Sequence, residues 1–108
     1  MEPQYKNSQE AIFSLEDALA FRTVIANEKG IHARPGGVLV KAASKYDSDV
    51  LVYNESNSRG VNGKSIMGLL ILEASKGNTI RFEARGTDAL ECITELYAVT
   101  LGEVFREY

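Results

Sequence analysis

Thr79-Ile80-Arg81-Phe82-Glu83-Ala84-Arg85 alternates at every step, with Ile80, Phe82 and Ala84 on one face and Arg81, Glu83 and Arg85 on the other. Successive side chains of an extended strand point to opposite sides of a sheet, so this period of two predicts a β-strand with one apolar and one wet face. The apolar face needs a cover, and the flanking segments supply it. Downstream, Thr87 stands where a cap belongs, before a helix whose Ala89, Ile93, Leu96, Tyr97, Leu101 and Val104 form an apolar stripe. Upstream, Ser65 opens a second helix that runs to about Ala74 and ends before Lys76-Gly77-Asn78.

Further upstream the same reading continues. Val50 to Tyr53 is a strand rich in β-branched and aromatic residues, followed by the polar turn Asn54-Glu55-Ser56-Asn57-Ser58-Arg59-Gly60 and a short return strand over residues 60–62. Residues 35–46 read as a helix and residues 21–26 as a strand. The order is β-α-β-β-α-β-α, the order of an α+β open-faced β-sandwich whose helices pack together on one side of the sheet. No internal repeat or low-complexity tract interrupts it.

Residues 1–20 read as an N-terminal extension to the domain of residues 21–108. Met1 to Asn7 is polar, and Ser8 to Ala20 predicts a short helix, Ser8 as its N-cap, with Ile12, Leu15 and Leu19 at helical spacing. An isolated helix of that length is marginal in water, so it is expected to dock on the body of the domain, over the open face of the sheet, or to bridge two copies.

The 108 residues fit one domain, and 44% hydrophobic with 25% charged residues is an ordinary globular composition. A net charge of −3 argues against nucleic acid as a partner. The one cysteine, Cys92, has no internal partner for a disulfide and falls in a helical pattern, as a small buried or half-buried apolar residue. No run is long enough to insert into a membrane, and the acidic first twenty residues lack the pattern of a secretory signal, so the expected compartment is the cytoplasm.

The chemistry concentrates in Gly30-Ile31-His32-Ala33-Arg34-Pro35, which holds the only histidine. Pro is favoured in the first turn of a helix, so the helix begins at or near Pro35 and His32 stands just before unpaired backbone N–H groups and the positive end of the helix dipole. Such a place binds phosphate. A neutral imidazole nitrogen is a nucleophile at physiological pH, and Arg34 offers a fork of donors matched to phosphate oxygens. These residues suggest a histidine that accepts a phosphoryl group, held by Arg34 and the amides of Ala33, Arg34, Gly36 and Gly37. The competing reading is a capping or merely exposed histidine.

The second helix carries Ile66-Met67-Gly68-Leu69-Leu70-Ile71-Leu72 with no polar side chain. A helix apolar all round is either buried or presents a stripe to a partner, and in so small a domain every helix has an outer side. Ile66, Met67 and Leu70 are therefore expected as an exposed docking patch. Ser65 before it is a plain N-cap, and a phosphate there, beside Lys64, would put negative charge against that patch and block a partner without disturbing the fold.

Together, Gly30-Ile31-His32-Ala33-Arg34-Pro35, Ser44-Lys45-Tyr46-Asp47, Val61-Asn62-Gly63-Lys64-Ser65-Ile66-Met67-Gly68 and the Lys76-Gly77 turn resemble HPr, the histidine-containing phosphocarrier of the bacterial phosphoenolpyruvate:sugar phosphotransferase system, from about Phe21 to Val99. The resemblance implies a four-stranded antiparallel sheet covered by three helices. It implies a carrier rather than an enzyme, with no cofactor and no metal. His32 would receive phosphate from enzyme I, through Nδ1, and pass it to enzyme IIA-type acceptors, with Arg34 stabilising the phosphohistidine. Ser65 matches a serine phosphorylated by HPr kinase/phosphorylase in the regulatory form of the family. Lys41 and Lys45, one turn apart, would meet acidic partner surfaces.

The chain departs from the family in its extension, in Gly36-Gly37 where small residues such as alanine are usual, and in a small insertion around residues 56–59. Two glycines in a first helical turn cost about 1 kcal/mol each relative to alanine. A β-α-β-β-α-β order also suits an RNA-binding module, but Arg81, Glu83 and Arg85 offer no aromatic to stack a base. A metallochaperone would need a Cys-x-x-Cys pair, which is absent. The alternative within the family is a mainly regulatory protein that acts through Ser65 on a transcriptional regulator.

Overall fold

The alternating segment is the middle strand of the sheet. The computed structural model describes residues 11–104. In chain order they form β1 (Phe13–Ser14), β2 (Leu19–Val24), α1 (Ala33–Ala43), β3 (Asp49–Asn54), β4 (Arg59–Asn62), α2 (Ile66–Ile71), β5 (Thr79–Arg85), α3 (Ala89–Val99) and a π-helical turn, Thr100–Val104. The strands line up as β1-β2-β5-β3-β4, every pair antiparallel. Phe82 on β5 lies opposite Phe21 on β2 and Val52 on β3.

Ile80, Phe82 and Ala84 are buried under the helices as expected, among Leu39 of α1, Leu69 of α2 and Ile93, Cys92 and Leu96 of α3. Phe21 and Phe82 stack with ring centroids 4.8 Å apart, and Tyr97 meets Phe21 edge-on at 5.2 Å. Both are favourable aromatic geometries, and they tie α3 to two adjacent strands. The architecture is thus an open-faced antiparallel sheet with three helices on one side.

Four local expectations need correction. The helix over Ser8 to Ala20 is not continuous: residues 8–10 lie outside the described residues, Ala11 has helical backbone, and the chain then becomes β1. The Leu15 N–H donates to the Ala18 carbonyl at 2.8 Å, turning the chain so that Phe13 pairs with Ala20 and Ser14 with Leu19. Pairing with the free edge of β2 satisfies backbone groups and buries Ala18 and Ala20, which a short isolated helix would leave undone. β2 accordingly starts two residues earlier than read, and the sheet gains a fifth short strand.

The outer face of β5 is the second correction, because Glu83 is only 4% exposed. Its carboxylate is held by Arg81 at 2.8 Å and Arg85 at 2.9 Å, while Arg85 also reaches Asp17 at 3.1 Å. Arg22 and Arg81 share Glu55. Two guanidinium partners make burial of this carboxylate tolerable. Third, α1 begins at Ala33 and α2 stops at Ile71, so Pro35 is the third rather than the first helical residue and α2 is one turn shorter than read. Pro still falls in the first turn, where no N–H is required.

Fourth, Asp88 rather than Thr87 is the N-cap of α3. The Asp88 carboxylate does not cap its own helix. It accepts from the amides of Asp47 and Ser48 at 2.8 and 2.9 Å and from the Ser48 hydroxyl, tying the α1–β3 connection to the start of α3.

Candidate functional site

The loop between β2 and α1 is folded by its own polar groups. The Lys29 N–H donates to Asn27 Oδ1 at 2.9 Å and the Gly30 N–H to the Asn27 carbonyl at 3.0 Å. Gly30 has φ +66°, a left-handed conformation that favours glycine. The Ile31 N–H then donates to the Ala74 carbonyl at 3.0 Å, and the buried Ile31 side chain anchors the entry to α1.

His32 is the N-cap of α1, with extended backbone and no side-chain capping bond. The residue is half-buried; Nε2 is sealed from solvent and has no hydrogen-bond partner among the described residues. Ala33 and Arg34 follow at the helix start, both exposed, and their N–H groups precede the intrahelical ladder. The Gly36 N–H is already in that ladder, donating to the His32 carbonyl at 2.9 Å, and Gly37 lies one residue deeper. Of the four amides expected around a phosphoryl group, those of Gly36 and Gly37 therefore belong to the helix ladder, and those of Ala33 and Arg34 stand before it.

Ser65 is the N-cap of α2, its Oγ accepting from the Gly68 N–H at 3.0 Å. Gly68 permits this close turn, since a Cβ there would stand 3.3 Å from Ser65 Oγ and from the Asn62 carbonyl. The Lys64 ammonium does not stand free beside Ser65; it donates to the Tyr46 carbonyl at 2.7 Å, at the end of α1. Ile66, Met67 and Leu70 are exposed, Met67 at 67%, while Leu69 and Leu72 are buried. Ile71, also exposed, extends the patch. Sequence reasoning left it out, although the spacing of three between Leu69 and Leu72 marks the buried side and leaves residues 66, 67, 70 and 71 outward.

The two features adjoin. A Cβ on Gly37 would meet Ile66 Cδ1 at 3.7 Å, and one on Gly36 would meet Leu69 Cβ at 4.0 Å, so the helix that begins at His32 packs directly on the helix that begins after Ser65. Lys41 is exposed on the outer side of α1. Lys45 is engaged within the chain: its ammonium and the Tyr46 hydroxyl each donate to Glu95 of α3 at 2.5 Å. Lys45 and Tyr46 hold the Glu95 carboxyl below the usual range, and the hydrogen bond to Glu95 pushes the Tyr46 phenol up to about 12. Among the described residues no helix is long and apolar enough to cross a membrane.

A histidine at the start of α1, an arginine two residues on and a capping serine beside an apolar patch thus share one side of the molecule. The family model described as the PTS HPr component phosphorylation site matches residues 19–100. The chain belongs to the PTS HPr family. It is 39% identical over 92 residues to the multiphosphoryl transfer protein of Escherichia coli O157:H7, a match that takes in 82% of this chain and 24% of that protein. The chain spans about a quarter of the length of the curated relatives it matches. Among solved structures it is similar to the histidine-containing phosphocarrier protein of a Mycoplasma, with a TM-score of 0.73 and 31% identity over 77% of this chain and 92% of that one. Phosphocarrier protein HPr from Bacillus anthracis superposes with a TM-score of 0.68 at 29% identity, over 76% of this chain and 95% of that one. The HPr match begins at Leu19, the first residue of β2, so β1 and the turn after it lie outside it.

Proposed function

We propose that this HPr-family chain is a phosphoryl carrier of the phosphotransferase system, with His32 as the acceptor. One observation supports this most: His32, half-buried at the start of α1, makes no capping bond and keeps Nε2 shut away. Nδ1 is then the nitrogen that meets an incoming phosphoryl group. Its lone pair forms the N–P bond as the bond from phosphorus to the donor's nitrogen breaks, and the reverse transfer delivers the group to an acceptor.

Such transfer needs alignment and charge neutralisation more than covalent help from the protein. The Ala33 and Arg34 amides and the Arg34 guanidinium serve the phosphoryl oxygens. Enzyme I is the donor, and enzyme IIA-type domains are the acceptors. Ile66, Met67, Leu70 and Ile71 form the apolar seat for both, and the exposed Lys41 of α1 meets acidic partner surfaces. Phosphorylation of Ser65 by an ATP-dependent HPr kinase/phosphorylase would place two negative charges against that seat and weaken docking.

His32→Ala tests the reading. Phosphoenolpyruvate with enzyme I should place an acid-labile phosphoryl group on the natural chain and none on the variant. Labelling that survives the substitution overturns the assignment.

A further inference from the structure

Asn54 ends β3 on the side of the sheet that faces the helices, is fully buried, and has no place in the chemistry described above. Its side chain uses both ends. Oδ1 accepts from the Ser56 N–H at 2.9 Å, which fixes the orientation of the amide. Nδ2 then donates to the Leu72 carbonyl at 3.3 Å and to Asn78 Oδ1 at 3.0 Å. Asn78 Oδ1 also accepts from the Ser75 N–H at 3.0 Å. The Asn78 carbonyl accepts from the Ile25 N–H at 3.0 Å, and the Ile25 carbonyl accepts from the Gly77 N–H at 2.8 Å. One buried amide therefore pins both ends of the 72–78 loop.

That loop carries the Ala74 carbonyl, which holds the Ile31 amide, one residue before His32. Glu73 needs such restraint, because it sits at φ +56° where the α2 helix has ended, a conformation costly to a residue with a side chain. The loop is further fastened by Asn57 Nδ2, which donates to the Leu72 carbonyl at 3.1 Å, and by the Lys76–Glu28 ion pair at 2.5 Å. The chain of contacts runs from Asn54 through the loop to Ala74, Ile31 and His32.

We infer that Asn54 is a positioning residue for His32, setting the imidazole at the start of α1 through the 72–78 loop. This rests on the reading of His32 as the phosphoryl acceptor. Asn54→Asp keeps the acceptor for Ser56 but turns a donor into a charged acceptor facing the Leu72 carbonyl and Asn78 Oδ1. The loop must then shift, and the Ala74 carbonyl with it. Alignment of reacting groups is sensitive to displacements of an ångström. The Leu72 carbonyl lies at the far end of α2, whereas Ile66 and Met67 of the exposed patch stand at its start, so docking should hold while the alignment of His32 shifts.

The test measures phosphorylation of the full chain by phosphoenolpyruvate and enzyme I, with the carrier as varied substrate. Asn54→Asp should lower kcat about ten-fold with KM unchanged, and amide hydrogen exchange should show lost protection at Ile31. Asn78→Ala, which removes the same anchor from a less buried position, should do likewise and serves if Asn54→Asp fails to fold. Val52→Ala, which removes core volume from the same strand, should leave kcat intact at temperatures where it is folded. A wild-type kcat in Asn54→Asp or Asn78→Ala, or an equal fall in Val52→Ala, overturns the positioning role while the carrier reading stands. Natural chain that takes no label overturns the carrier reading and this inference with it.

Discussion

Gly30 lies against the Ala74 carbonyl so closely that a Cβ at residue 30 would stand 1.9 Å from that oxygen. The contact joins two loops more than forty residues apart, one leading into His32 and the other leaving α2. It brings the Ile31 N–H within 3.0 Å of the same carbonyl. A side chain at residue 30 is excluded twice over, by φ +66° and by the neighbouring backbone.

Gly30→Ala should therefore destabilise the fold by at least about 2 kcal/mol, from left-handed strain together with displacement of a backbone carbonyl. Urea denaturation checks this. A variant as stable as the natural chain would mean that the loop can part from Ala74 without loss.

Gly36 and Gly37 stand in the opposite situation. A Cβ there meets Ile31 Cγ2 at 3.8 Å and Ile66 Cδ1 at 3.7 Å, ordinary packing distances, and both residues lie within α1. Gly36→Ala and Gly37→Ala should each stabilise by about 1 kcal/mol. The thermal midpoint should rise in both, and a fall would show that the α1–α2 contact has no room for a methyl group.

Ser65 has a structural role that is separable from any modification. Ser65→Ala removes the acceptor for the Gly68 N–H and should cost about 1 kcal/mol, read from chemical denaturation. Ser65→Asp keeps an acceptor and adds charge beside Ile66 and Met67. It should retain most of the stability while slowing phosphorylation of His32; unchanged transfer would argue against a charge-sensitive docking patch.

Asp88 makes stability depend on pH at the acid end. Its carboxyl is held below the ordinary aspartate value by the hydrogen bond from Ser48 Oγ first, then by the Asp47 amide, with the Ser48 amide adding to both. A depressed folded pKa means that the carboxylate stabilises fully above the unfolded aspartate pKa of about 3.9, and that this is lost as pH falls through the lower folded value. Asp88→Asn should lower stability at neutral pH and flatten the decline below about pH 4. A parallel decline in both proteins would place the acid sensitivity elsewhere, for instance at Glu55 or Glu95, whose carboxyls are also held low.

Strand β5 was legible to the residue, because alternation over seven positions is a local property of a sheet with one covered face. The helix start at His32 was legible within two residues, since Pro35 and the apolar run after it obey rules that act within one turn. The Ser8-to-Ala20 segment misled because its apolar spacing suits a helix, whereas the open edge of β2 offered hydrogen bonds that spacing does not reveal. Glu83 misled for the same reason. Its carboxylate is buried only because Arg81 and Arg85 close over it on a face where alternation predicts water.

By itself the order of residues determined where three polar groups stand: one imidazole just before a helix, one guanidinium in its first turn, one hydroxyl capping the next. These are matters of neighbours along the chain, where backbone geometry and capping act over three or four residues. Only the tertiary structure decided that Nε2 is shut away and that Lys45 and Lys64 engage Glu95 and the Tyr46 carbonyl. Each of those depends on where a distant segment comes to rest, and packing settles that over separations no local pattern spans.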